Sequence, residues 1–418
     1  MLNTKTVISA LAVLPLVALA LAVAPAQQES RGGKKMVTTG GVTSTEEHNA
    51  AVYPTLAIGS QAPDFNLPGV DGKTYSLKDF DYAKLLAVVF NCDHCPVASM
   101  YEDRIKKLTE DYRDRGVAVV MIMPNANSSA TAGASYSEES HTDMGDTFDE
   151  MRMRAAFRRF DFPYLNDGAN QEVARQYGPA TTPHIFIFDQ ERKLRYQGDI
   201  DDSMRESLVK RRDARNAFDA LLAGQQVPLT TTPAFGCSIK WASRAGGPAE
   251  ARKREAAPVR LEAAGPDQLK ELSKNGTGKF LLVNFWATSS GVSVKEFPDV
   301  QRAFLMYRGR PFTVVTVNTD TPDRQKDVQA FLEEQHASTR NLVLGSTETK
   351  AAIGAFGMGW NGSVPYMVLM DPVGNVLYRK HGWVDTYEVR HQILAALPDD
   401  RYFGIHDFWV LGYRTVIE

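Results

Sequence analysis

This sequence of 418 residues predicts an α/β layered fold built twice, each time as a central sheet flanked by helices. Three observations predict it. Short apolar runs alternate with amphipathic stretches, which read as buried strands and surface helices. The same order of elements occurs on both sides of a small and charged stretch at residues 242–257, so one unit is present twice. Each half also closes with an X-Pro step, an apolar strand and a strand-like partner.

The elements follow in order. Lys5, an almost wholly apolar run from Val7 to Val23, and Ala24-Pro25-Ala26 form the pattern of a cleaved signal over residues 1–26. An uncleaved anchor is the alternative. Residues 27–54 are polar, small and unpatterned, as in a flexible leader. In the first half, 55–241, Leu85-Leu86-Ala87-Val88-Val89-Phe90 reads as a buried strand, and the chain turns amphipathic after Pro96. A second apolar strand follows at 117–123. A Ser/Ala/Gly/Thr-rich loop then spans 124–146, too long for a simple connection. Helical patterning resumes at 148–160 and 171–177, before Thr182-Pro183, strands at 184–189 and 194–198, and a helix at 212–222. After the linker 242–257, the second half (258–398) repeats this with strands at 280–285 and 313–318, helices at 295–307 and 324–334, and Pro365 before a hairpin. Residues 399–418 form an aromatic tail.

The stretch with most chemistry is Cys92-Asp93-His94-Cys95-Pro96, between a strand end and a helix start. Unpaired amides and the helix dipole at such a junction favour a thiolate, and Cys92 is placed at or near it. A second cysteine three residues on can complete thiol-disulfide exchange, and His94 adds positive charge. The chain has only 3 cysteines, too few for a disulfide scaffold at this length. A metal knuckle would need a second ligand pair, and none is evident, so no metal or cofactor is expected. His141, Met144, Met151 and Met153 fit no ligand spacing and read as packing or surface residues. A net charge of -3 gives no overall field towards nucleic acid or anionic membrane.

Taken with these motifs, the chain resembles a tandem pair of thioredoxin-like domains, each a central mixed β-sheet flanked by helices. The first half is similar to the peroxiredoxin-like redoxins (alkyl hydroperoxide reductase and thiol-specific antioxidant relatives). The resemblance rests on Gly59-Ser60-Gln61-Ala62-Pro63-Asp64-Phe65, the Cys92–Cys95 motif, Phe162-Pro163, Thr182-Pro183 and Gly236-Cys237-Ser238-Ile239-Lys240-Trp241. The second half resembles periplasmic thiol-disulfide oxidoreductases through Asn284-Phe285-Trp286-Ala287-Thr288. There Ser290 and Ser293 stand where that family has its cysteines, so the site is degenerate.

The resemblance implies Cys92 as nucleophile, Cys95 as resolver, and Thr182 with a cis Pro183 as the edge that pairs with an extended substrate. It gives Pro365 a weaker version of that role. Cys237 stands evenly between a buried small hydrophobe and a third thiol. The expected function is exported thiol-disulfide exchange by a Cys92/Cys95 couple, in the periplasm or outside the cell. Its partners would be disulfide-bearing or dithiol protein clients and a redox partner protein. Peroxide reduction is the runner-up, because Cys92 would replace the Thr that peroxiredoxins carry three residues before their peroxidatic Cys, if Cys95 held that position. A non-catalytic binding or scaffold protein is the contrasting class.

Overall fold

In the computed structural model, which describes residues 53–126, 139–243, 258–344 and 349–398 with one short hairpin before them, the sheet-and-helix unit occurs twice. The chain divides into two compact units, Met1–Thr45 and Glu46–Glu418. In the first, β1 (Thr38–Thr39) pairs antiparallel with β2 (Val42–Thr43), inside the stretch read as an unpatterned leader. The signal segment, residues 244–257 of the linker and the tail lie outside the described residues.

In the second unit a hairpin of β3 (Asn66–Pro68) and β4 (Thr74–Ser76) precedes the first main sheet. That sheet contains β5 (Leu85–Phe90), β6 (Val117–Met123), β7 (Tyr164–Asn166), β9 (His184–Phe188) and β10 (Leu194–Gly198). Between β7 and β9 lies β8 (Thr181–Thr182), which belongs to another pairing. The strand order is β10-β9-β5-β6-β7, with β5, β6 and β7 parallel and β9 antiparallel to β5. Every residue of β5 and β6 is buried, as central strands covered on both faces must be.

Helix α1 (Pro96–Arg113) buries Ala98, Tyr101, Ile105, Leu108 and Tyr112, a spacing of three and four that forms one apolar stripe. It packs with α2 (Phe148–Arg158) and a late helix, α4 (Asp213–Leu222), over one sheet face. A short helix, α3 (Glu172–Tyr177), contributes to the opposite face. Last in this half is a two-residue strand, β11 (Cys237–Ser238), which the sequence pattern did not reveal.

The second half repeats the plan. Its strands are β12 (Leu261–Ala264), β13 (Phe280–Trp286), β14 (Phe312–Asn318), β15 (Arg340–Leu344), β16 (Tyr366–Met370) and β17 (Val376–His381). Their order is β12-β15-β14-β13-β16-β17. Central strands β16, β13 and β14 have the relations of β9, β5 and β6 in the first sheet. Helices α5 (Pro266–Leu272), α6 (Gly291–Tyr307), α7 (Gln325–Glu334), α8 (Thr349–Phe356) and α9 (Thr386–Ala396) accompany them. The Thr182–Pro183 and Val364–Pro365 peptide bonds are both cis.

The two halves meet at the end of the long loop and the start of α2. Met144 and Met153 are buried in a cluster with Leu282, Val300 and Ile393, so these methionines pack, as expected. Met151 packs in the first core, and His141 is exposed. Glu150 is fully buried between two arginines of the second half. Arg390 Nη1 donates to Glu150 Oε1 at 2.6 Å and Arg302 Nη2 at 2.9 Å. Arg302 Nε also donates to Glu139 at 3.0 Å, and Arg390 Nη2 to the Asp143 carbonyl.

Burial alone would raise the Glu150 carboxyl, but Arg302 and Arg390 outweigh it and hold it far below the usual carboxylate range. A depressed native pKa means that the contribution is complete above the unfolded value of about 4.3 and is lost as pH falls through the native one. Breaking a buried pair leaves an uncompensated charge. Glu150→Ala is therefore expected to cost about 3–5 kcal/mol in denaturant unfolding at pH 7. The loss should shrink only in strong acid.

Candidate active site

The turn after β5 is built from backbone upward. Asn91 N donates to Ile122 O at 3.0 Å and carries the β5–β6 pairing one residue further. The chain then leaves the sheet, and α1 starts with Pro96 at its first position, where no amide is lost. The N-cap is Cys95: its Sγ accepts from Ala98 N at 3.4 Å. Cys95, and not Cys92, therefore holds the helix N-terminus.

The disulfide also differs from the expected couple. Cys95 is bonded to Cys237, with Cα atoms 6.0 Å apart, while Cys92 is a free and fully buried thiol. The cause is strand pairing. β11 lies antiparallel to β8, with Cys237 opposite Thr182, which carries Cys237 to the start of α1. Cys92 Sγ instead lies 3.0 Å from Thr182 Oγ1. Cys95 Sγ is 3.7 Å from the carbonyl of the same Thr182. Cys92, Cys95, Cys237, Thr182 and Pro183 thus converge on one strand edge.

A residue missed in the sequence organises this turn. Asp146, buried at the end of the long loop, accepts from Asp93 N at 2.8 Å and His94 N at 3.1 Å through Oδ1. Its Oδ2 lies 2.6 Å from His94 Nδ1 and accepts from Asn125 Nδ2 at 2.8 Å. Strand β5 has no carboxylate to serve the thiols, and Asp146 brings one from elsewhere. Only the adjoining Thr147-x-x-Glu150 capping box, a helix-start signal, marked its position.

The electrostatics follow from burial and this pair. Burial lowers His94, yet the Asp146 carboxylate and Cys92 outweigh it and hold the imidazole well above its usual value. Asp146 would be raised by burial, but His94 and the amide donors keep it below the usual carboxylate range. Burial pushes the Cys92 thiol up, with His94 opposing. Asp93 is pushed well above the carboxylate range by burial and by Asp146, and Tyr164 OH donates to its Oδ1 at 3.1 Å. The other side of the His94 ring faces the Cys92 thiol, a contact that raises the imidazole and lowers the thiol. Next to the X-Pro step, His184 is lowered by burial to about 4 and is neutral.

Donor atoms of Cys92, His94 and Asp146 lie within 4.8 Å of one another. Three donors fall short of the four of a closed zinc site, and Asp146 is already engaged by four groups.

The second half carries the matching turn without sulfur. Ser290 caps α6 and its Oγ accepts from Ser293 N at 3.3 Å, as Cys95 does from Ala98 N. The structure therefore matches Ser290 to Cys95 and Ser293 to Ala98, so Ser293 replaces neither cysteine of the first half. Pro365 precedes β16 as Pro183 precedes β9.

A sulfur at the N-terminus of the helix that follows a central strand, beside an X-Pro step on a mixed sheet, defines a redox protein of the thioredoxin fold. The chain belongs to the AhpC/TSA family, whose model matches residues 58–197 and 254–379, one region in each half. No curated protein matches the chain. Among solved structures, a hypothetical protein of Sinorhizobium meliloti 1021 is 34% identical over 46% of this chain and 98% of its own, with a TM-score of 0.39. The peroxidoxin BcpB of Mycobacterium tuberculosis is 21% identical over 35% of this chain and 88% of its own (TM-score 0.28). A thiol-disulfide oxidoreductase of Bacteroides fragilis is 18% identical over 36% and 94% (TM-score 0.26).

Asp146→Asn removes the charge that raises His94, so an NMR titration should find the His94 pKa lower in the variant. The variant should also be less stable at intermediate pH, by about 3 kcal/mol if it behaves as a broken buried pair. A raised His pKa stabilises below about 6.5 and ceases to do so as pH rises through its native value. A depressed Asp pKa ceases to stabilise as pH falls through its native value. The stability gap between wild type and variant should therefore close at both ends.

Proposed function

We propose that the protein is an exported thiol-disulfide oxidoreductase in which Cys95 is the exchanging sulfur and Cys92 and Cys237 are its alternative partners. The observation that carries this reading is the division of states around Thr182: Cys95 is already in a disulfide, while Cys92 is a free thiol against the same residue. The roles expected from the motif alone are thereby exchanged.

At the α1 N-terminus the Ala98 amide and the helix dipole favour a Cys95 thiolate, either as attacking or as leaving group. In the exchange, Cys95 thiolate attacks a client disulfide, a Cys95–client bond forms, and the client's other sulfur leaves as thiolate. Cys92 then gives up its proton and attacks Cys95 Sγ, the Cys92–Cys95 bond forms as the Cys95–client bond breaks, and the client leaves as a thiolate that takes up that proton. Asp146 raises the His94 imidazole and so favours its charged form, which, facing Cys92, would offset the negative charge that develops on that sulfur. Burial and Asp146 push the Asp93 carboxyl well above the usual range, which disfavours a second negative charge beside that thiolate.

Peroxide chemistry ranks below this. With Cys95 at the helix start, the position three residues before it is Cys92 and not a threonine hydroxyl. Export rests on the Lys5 and Val7–Val23 pattern. No helix among the described residues is long and apolar enough to cross a membrane.

The test is the reduction of insulin disulfides by the full chain, with dithiothreitol as electron source. Cys95→Ser should bring the rate to the uncatalysed background. Cys92→Ser combined with Cys237→Ser should leave a client stably linked to Cys95, seen as a mass adduct. A client adduct on Cys92 in the Cys95→Ser protein would reverse the assignment, and no exchange by the wild type would end it.

A further inference from the structure

The segment Pro233–Ser238 is held at both ends by buried anchors. Before it, Thr232 is buried: its N donates to Gln197 O at 3.1 Å, and its Oγ1 lies 2.6 Å from Tyr196 OH and donates to Asp199 Oδ1 at 2.6 Å. After it, Ile239 and Trp241 are buried in the second core cluster. There Lys240 N donates to Asn125 Oδ1 at 2.8 Å, and Gln171 Nε2 donates to Lys240 O at 2.9 Å. Between the anchors Ala234 to Ser238 are only half-buried. This span touches the site through the β11–β8 pairing and the Cys95–Cys237 bond. The approach is close: a Cβ on Gly236 would lie 2.0 Å from Thr182 O.

The span therefore occupies the Thr181–Thr182 edge as a bound peptide would, by strand addition with a cysteine opposite Thr182. Exposure points the same way. Cys92 and Cys95 are wholly buried, and Cys237 is the half-buried sulfur of the three.

We propose that Pro233–Ser238 is a redox-latched strap, with Cys237 as the relay sulfur through which a dithiol partner reaches Cys95, and with release of the strap opening the Thr182 edge to a client. The proposal rests on the exchange role given to Cys95 above. In the opening step a partner thiolate attacks Cys237 Sγ. A partner–Cys237 disulfide forms, the Cys95–Cys237 bond breaks, and Cys95 leaves as thiolate. The partner's second thiol loses its proton and attacks its own mixed-disulfide sulfur. The partner departs oxidised and Cys237 leaves as a thiolate, which takes up a proton. Two electrons pass from the partner to the pair. In the closing step Cys237 thiolate attacks Cys95 Sγ of a Cys92–Cys95 or Cys95–client disulfide, expels the other sulfur as thiolate and re-forms the latch.

Two readouts on the full chain test this. The first is amide hydrogen exchange of residues 233–238, read by mass spectrometry for oxidised wild type, phosphine-reduced wild type and Cys237→Ser. Exchange in this span should rise about 10-fold or more in the last two, with β5 and β6 unchanged. Gly236→Ala, which removes no sulfur, should raise it even when oxidised. Equal protection in all four samples would make the strap a permanent strand and overturn the proposal. The second uses glutathione as the thiol probe on oxidised Cys92→Ser, quenched and mapped. The first adduct should sit on Cys237, and one on Cys95 would contradict the relay. Both readouts are independent of insulin turnover, so a failed turnover assay with a redox-dependent strap rejects the function alone.

Discussion

The carboxylate of Asp146 is the interaction on which this site depends. A buried charge survives only where donors surround it, and among the described residues four reach Asp146: two amides of the Cys92–Cys95 turn, the His94 ring and the Asn125 amide. One group thereby fixes the path of the turn, raises the His94 imidazole next to Cys92, and ties the turn to β6. Through Asn125 it also reaches Lys240, the anchor that follows the Cys237 span. Next to it, Thr147 and Glu150 start α2, and Glu150 carries the ion pairs to Arg302 and Arg390. The second half, which has no cysteine, thus braces the loop that supplies the first half's charge.

Comparison of the halves shows what the long loop adds. In the second half Asp320 lies two residues beyond β14 and accepts directly from Thr288 N at 2.6 Å, in the turn before α6. Asn125 has the same place beyond β6, but it is neutral and, among the described residues, reaches the turn through Asp146. Each half keeps an acidic clamp on the strand-to-helix turn. The first takes its carboxylate from an inserted segment, which allows the clamp to hold a histidine as well. The second keeps the clamp and has Ser290 at the cap, a hydroxyl that does not ionise at neutral pH and forms no disulfide.

The sheets were legible from sequence because β5 and β6 are uninterrupted apolar runs, and β13 and β14 are mostly apolar and β-branched runs broken only by Asn284 and by Thr313, Thr316 and Asn318, as a strand covered on both faces requires. The Cys92–Cys95 turn was legible for the same reason, since it lies at the end of such a run. The sequence places Cys92 at or near the helix N-terminus, and Pro96 carries the signal that puts the cap itself on Cys95: proline favours the first helical position, so its predecessor is the cap. Asp146 was hidden in a loop of small residues with no period. The Cys95–Cys237 pairing was hidden because disulfide partners cannot be deduced from sequence, and a two-residue strand such as β11 leaves no alternation to read.

The central claim is that Cys95 is the shared sulfur of the site. Disulfide mapping of the unreduced full chain, alkylated in acid to stop exchange, tests it most directly. The account predicts a Cys95–Cys237 peptide with Cys92 recovered as alkylated thiol, and after a limited dose of oxidised client a Cys92–Cys95 peptide as the minor species. A disulfide joining Cys92 to Cys237, or Cys95 recovered as free thiol while another pair is oxidised, would contradict it.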